Sequence, residues 1–168
     1  MSLPPIAVAA DDYLWFVDEA LAGMVDIVTR LGDDMANRRP EGPTTNSPYA
    51  LLTHCLGVVE WWAGYVLTGR PVARDRAAEF VAHGPVADLV ARVAEQRRRL
   101  AEDIAGLDPL APPAVGQEEL EEDADLPIGR TQGGVLLHIY EELAQHRGQM
   151  EGIRDALLAP WGRSVPVG

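Results

Sequence analysis

Lysine is absent from this chain of 168 residues, cysteine occurs once, and aromatic residues make up only 6% of it. Since every basic residue is arginine, the bias reads as the codon usage of a GC-rich bacterial genome rather than as chemistry. The lone cysteine, Cys55, excludes an internal disulfide. The start Met1-Ser2-Leu3-Pro4-Pro5 lacks the basic residues and apolar run of a secretory signal, so a reducing cytoplasm is the expected compartment. A run of 18 uncharged apolar residues is also missing, which argues against a membrane span. Excess positive charge is missing too. The formal net charge is −12, and the 14 basic residues are scattered apart from Arg97-Arg98-Arg99, so no nucleic-acid surface is expected. There is no hydrolase-like serine arrangement, phosphate-binding glycine loop or dinucleotide fingerprint.

What is present describes an ordinary globular chain, 47% hydrophobic and 24% charged, long enough to bury a core as one domain over residues 1–168. Apolar residues at Leu14, Val17, Leu21, Val25, Val28, Leu31 and Met35 recur with helical spacing after Asp11 or Asp12, either of which can cap a helix. Two prolines and a glycine end that pattern, and Ser47-Pro48 then supplies an N-cap with proline at the first helical position of a helix running to about Thr68. The residues from Gly69 to Gly84 read as a polar connection. After Pro85 a third amphipathic helix carries Val86, Leu89, Val90, Val93, Leu100, Ile104 and Leu107 on one side, with arginines and glutamates on the other. A long acidic connection, Asp108 to Gly129, precedes a fourth helix from about Thr131 to Pro160. Without strand-like alternation, the expected fold is all-α. Helices of about 20 to 28 residues, roughly 30 to 42 Å long, bury their apolar stripes most simply as a four-helix bundle, and the long third connection frees the topology from simple up-down order.

Polar side chains interrupt two of those stripes. In the fourth helix the apolar arc is Val135, Ile139, Met150, Ile153 and Leu157, and Glu142 and His146 fall between them in angle. Spaced i and i+4, they stand about 5–6 Å apart on one face, close enough for a carboxylate oxygen and an imidazole nitrogen to share a cation. Spacing alone leaves a buried hydrogen-bonded pair equally open. His138 forms a rival i, i+4 pair with Glu142 but lies at the edge of the arc, where it reads as a neighbour of the site. In the second helix His54 lies within the arc of Leu51, Val58, Trp62 and Tyr65. Two histidines and a carboxylate are the donor set that holds a divalent metal and leaves a position open. Cys55 points about 100° away from His54 and reads as a small apolar filler. Trp61, Trp62 and Tyr65 are candidates to line a pocket, and exposed aromatics on a bundle fit a homodimer, although no residue pattern demonstrates one.

These residues also carry a resemblance. Ser47-Pro48-Tyr49-Ala50-Leu51-Leu52-Thr53-His54-Cys55-Leu56-Gly57-Val58-Val59-Glu60-Trp61-Trp62 is similar to the second-helix motif of the DinB/YfiT-like superfamily of metal-binding four-helix bundles. Glu142-Leu143-Ala144-Gln145-His146-Arg147-Gly148-Gln149 resembles its last-helix motif. With glutamate at position 142, the pattern resembles the metal domain of mycothiol-dependent maleylpyruvate isomerase and the small mycothiol S-transferase-like proteins. The resemblance implies His54, Glu142 and His146 as ligands of a divalent metal, zinc first, with nickel or iron also suited to the set. It implies mycothiol as co-substrate, added or transferred to an electrophilic small molecule. The isomerase has a further C-terminal domain that this sequence, ending at Gly168, is expected to lack, so maleylpyruvate is not the implied substrate. Two other readings stand beside the enzyme: a non-catalytic, stress-associated metal-binding protein, and a purely structural dimeric bundle.

Overall fold

The computed structural model describes residues 8–41, 45–116, 120 and 130–159. Among them every regular element is helical, in the order α1 (Ala10–Ala36), α2 (Pro48–Val59), α3 (Arg76–Glu79), α4 (Val86–Asp103) and α5 (Gln132–Leu158), as the all-α expectation requires. The acidic residues Glu118, Glu119, Glu121, Glu122, Asp123 and Asp125, and Pro160, lie outside the described residues.

Helix starts follow local chemistry. Ser47 accepts a hydrogen bond from the Ala50 amide at 3.1 Å, with Pro48 next in line, and Thr131 accepts one from Gly134 at 3.0 Å. Asp11 and Asp12 do not cap α1. Ala9 holds the N-cap position without a side-chain bond, and the two aspartates sit in the first turn, where their charge opposes the positive end of the helix dipole. Gly32 interrupts α1 with φ at 66°, a left-handed conformation that glycine adopts freely. Helix α2 continues as a π-helical stretch, Glu60–Leu67, before Gly69, at φ 72°, reverses the chain. The third predicted helix stops at Asp103 rather than Leu107, where Ile104 takes the C-cap and Gly106 turns the chain at φ 80°.

The expected polar connection after α2 contains the one-turn helix α3, capped by Asp75, whose carboxylate accepts from the Ala78 amide at 2.9 Å. Among the described residues that makes five helices instead of four. Helices α1 and α2 each pack against both α4 and α5, whereas α4 and α5 scarcely meet, so the two helices joined by the long connection sit across the bundle from each other. Leu21, Leu51, Leu89, Leu143 and Met150, all fully buried, bring the four long helices into one core. The continuous segment Pro48–Leu67 has the length and composition of a membrane-crossing helix, and 78% of its apolar window is buried inside the bundle. Arg97-Arg98-Arg99 lies on the outer side of α4, with Arg97 paired to Asp18 of α1 and Arg98 and Arg99 paired to Glu95.

Candidate metal centre

Helix α2 is buried along almost its whole length because other helices surround it, and this puts His54 at 3% exposure in the interior. Across from it, α5 presents Glu142 and His146. Leu143, a residue that the angular reading left out, is fully buried and widens the α5 apolar face, and Glu142 and His146 have side chains 28% and 21% exposed. The pair is therefore set at the edge of the core, open on one side, rather than sealed among apolar neighbours.

Donor atoms from the two helices converge. Glu142 Oε2 stands 3.4 Å from His146 Nε2 and 3.8 Å from His54 Nε2, and one donor atom from each of the three residues fits within 4.8 Å of the others. A tetrahedral cation bound at about 2.0–2.1 Å separates its ligands by about 3.4 Å. The Glu142–His146 pair is already at that spacing, and the Glu142–His54 pair, at 3.8 Å, is near it.

Each imidazole is held from behind. His54 Nδ1–H donates to Glu79 Oε2 at 2.8 Å, and Arg74 grips the same carboxylate with two bonds, Nε to Oε1 at 2.8 Å and Nη2 to Oε2 at 3.1 Å. Phe80 stacks on the His54 ring at 4.4 Å, and the His146 ring meets it edge-on at 5.0 Å. His146 Nδ1 pairs with Gln149 Oε1 at 3.0 Å, which fixes the donor role on the ring nitrogen and leaves Nε2 for the centre. Glycine is needed at position 57, since a Cβ there would overlap Glu79 Oε1.

Electrostatics follow this geometry. The imidazoles of His146 and His54, 3.4 and 3.8 Å from Oε2, are the strongest influence on Glu142 and hold its carboxyl well below the usual carboxylate range. Burial works to raise the Glu79 pKa, but hydrogen bonds from His54 and Arg74 outweigh it and keep the carboxylate ionised. For His54, burial alone lowers the pKa; the nearby Glu142 carboxylate and the hydrogen bond to Glu79 overcome it and leave the ring more basic than usual. The anionic partners that make it basic are also what makes a cation welcome between the three donors.

The other expected residues fall outside the convergence. His138 meets the edge of Trp62 at 4.7 Å and lies 3.6 Å from Glu141, beside the donor set. Trp62 is buried, while Trp61 and Tyr65 are half-buried and pack on each other at 4.5 Å; none of the three lines the cleft of about 780 Å³ between α2, α3 and α4. Cys55 is fully buried, and burial pushes its thiol far up, away from the thiolate form that a nucleophile needs. Arg147 pairs with Glu151 of its own helix and donates to the Glu19 carbonyl of α1.

Glu79, Arg74 and Gln149 were missed from sequence. Gln149 stands in the last-helix motif three residues after His146, a spacing that puts both on one helix face. For Glu79 the available signals were Asp75 as an N-cap ahead of Arg76-Ala77-Ala78-Glu79 and a glycine at 57 in an otherwise bulky helix.

A family model described as mycothiol-S-transferase matches residues 13–158 of the chain. No curated protein matches it.

Proposed function

The chain belongs to the mycothiol S-transferase family, a DinB/YfiT-like family, and we propose that it holds a divalent cation, zinc first, between His54, Glu142 and His146 and joins a low-molecular-weight thiol, mycothiol, to an electrophilic small molecule. One observation carries this reading: three donors from two helices approach to 3.4 and 3.8 Å, and both imidazoles are oriented through their other nitrogen.

The donor chemistry fits the cation. Two imidazoles and one carboxylate suit zinc, nickel and iron, and three protein ligands leave a position free. A cation so held supplies Lewis acidity that lowers a thiol's pKa towards neutrality. The residues themselves do three things. Glu79 and Gln149 keep the His54 and His146 rings facing the centre; Glu142 contributes the negative charge; and its flank position leaves a way in from solvent. In the net reaction a sulfur–carbon bond forms, and the thiol proton ends on the departing group or, in an addition, on the neighbouring carbon. The lone buried cysteine fits a reducing compartment.

The test is thiol consumption by metal-loaded protein with a halogenated bimane as electrophile, using mycothiol and glutathione in separate arms. Faster loss of mycothiol than of glutathione, abolished in His146→Ala, is the expected result. Stoichiometric metal without consumption of either thiol would overturn the transferase reading and leave a metal-binding bundle.

A further inference from the structure

His54 and His146 stand in unequal settings. His54 is buried, its Nδ1–H is bound by a carboxylate, and that carboxylate is clamped twice by Arg74. His146 is partly exposed, and its Nδ1–H is bound by the neutral amide oxygen of Gln149 on its own helix. A hydrogen bond to a carboxylate is charge-assisted and roughly twice as strong as one to a neutral group, and it makes the imidazole a more basic ligand. The carboxylate also comes from another part of the chain, so its direction is set by packing rather than by one helix's rotamers. Gly57 leaves the space it fills, and Phe80, next to Glu79, covers the ring.

We infer that Arg74, Glu79 and Gly57 are positioning elements that make His54 the anchoring ligand of the centre, with His146 the adjustable one. The inference rests on the metal-site reading above. Neither Glu79 nor Arg74 belongs to the donor set; both act through His54. Helix α3 has a purpose on this view: it delivers one carboxylate, over the missing side chain of a glycine, to the back of one histidine.

The measurement is metal affinity by competition with a chromophoric chelator, together with ¹⁵N shifts of the His54 ring in metal-free protein at alkaline pH, where the ring is neutral. Glu79→Ala is expected to weaken binding about 10- to 100-fold, the usual effect of losing such a partner, and to move the His54 proton from Nδ1 to a mixture of the two nitrogens. Gly57→Ala is expected to do the same by displacing Glu79, while keeping a residue that favours the helix. Gln149→Ala is expected to weaken binding less than Glu79→Ala does. Unfolding midpoints identify any variant whose loss comes from global destabilisation, and Glu79→Gln, which keeps an acceptor but not the charge, is expected to fall between wild type and Glu79→Ala. Equal losses in Glu79→Ala and Gln149→Ala, or an unchanged His54 tautomer in Glu79→Ala, would overturn the inference. If the wild-type protein takes up no metal, the metal-site reading fails, and the tautomer shift still tests the positioning by itself.

Discussion

His54 Nε2 lies 3.8 Å from Glu142 Oε2, although the two residues belong to different helices and no local rule brings them together. Wild-type protein is accordingly expected to carry close to one divalent cation per chain, read by elemental analysis. His54→Ala, Glu142→Ala and His146→Ala should each remove most of it. Unchanged occupancy in any of the three would take that residue out of the site.

Stability should depend on pH through Glu60. Burial favours its neutral form, but Arg70 donates to Oε1 at 2.5 Å and holds the carboxyl below its ordinary 4.5. A carboxyl whose folded pKa is depressed contributes stability that is fully present above the unfolded value and disappears as pH falls through the folded one. Urea midpoints should therefore put Glu60→Gln below wild type at pH 7, with the gap closing as the pH falls below 4.5. A gap that is constant with pH would mean that the Arg70 pair does not stabilise the fold.

Cys55 has no exposed surface and its thiol pKa is pushed far up. Labelling by a thiol reagent should be slow in native protein and prompt in denaturant. Cys55→Ala should keep metal and thiol-transfer activity. Loss of transfer in that variant, with metal retained, would give Cys55 a chemical role after all.

Leu143 follows Glu142 directly in α5 and is fully buried. Leu143→Ala should lower unfolding free energy by about 2–5 kcal/mol, the range for emptying such a position. Denaturant unfolding measures this directly, and a smaller loss would mean that the core collapses into the space.

Much of the site was legible before folding was considered. Glu142 and His146 were readable because i and i+4 on a helix are neighbours by geometry alone, and His54 because it interrupts an apolar stripe. Glu79 was not readable in this way. Its partner His54 is 25 positions away, and Glu79 itself lies on a one-turn helix that carries too few residues to show a period. The degree of burial was misjudged for a related reason: angle on a helical wheel says which way a side chain points, but only the neighbouring helices decide how much water reaches it.

By itself the sequence determined the long helices, the cap at Ser47, the start near Thr131, the buried face of each and the three donor types, because periodicity and capping are properties of neighbouring residues. Tertiary structure decided that α4 and α5 lie across the bundle from each other, that Glu142 and His146 sit at an open edge, and that Glu79 stands behind His54. Those facts depend on which surfaces exclude water together, and a single stretch of chain does not contain its own partner.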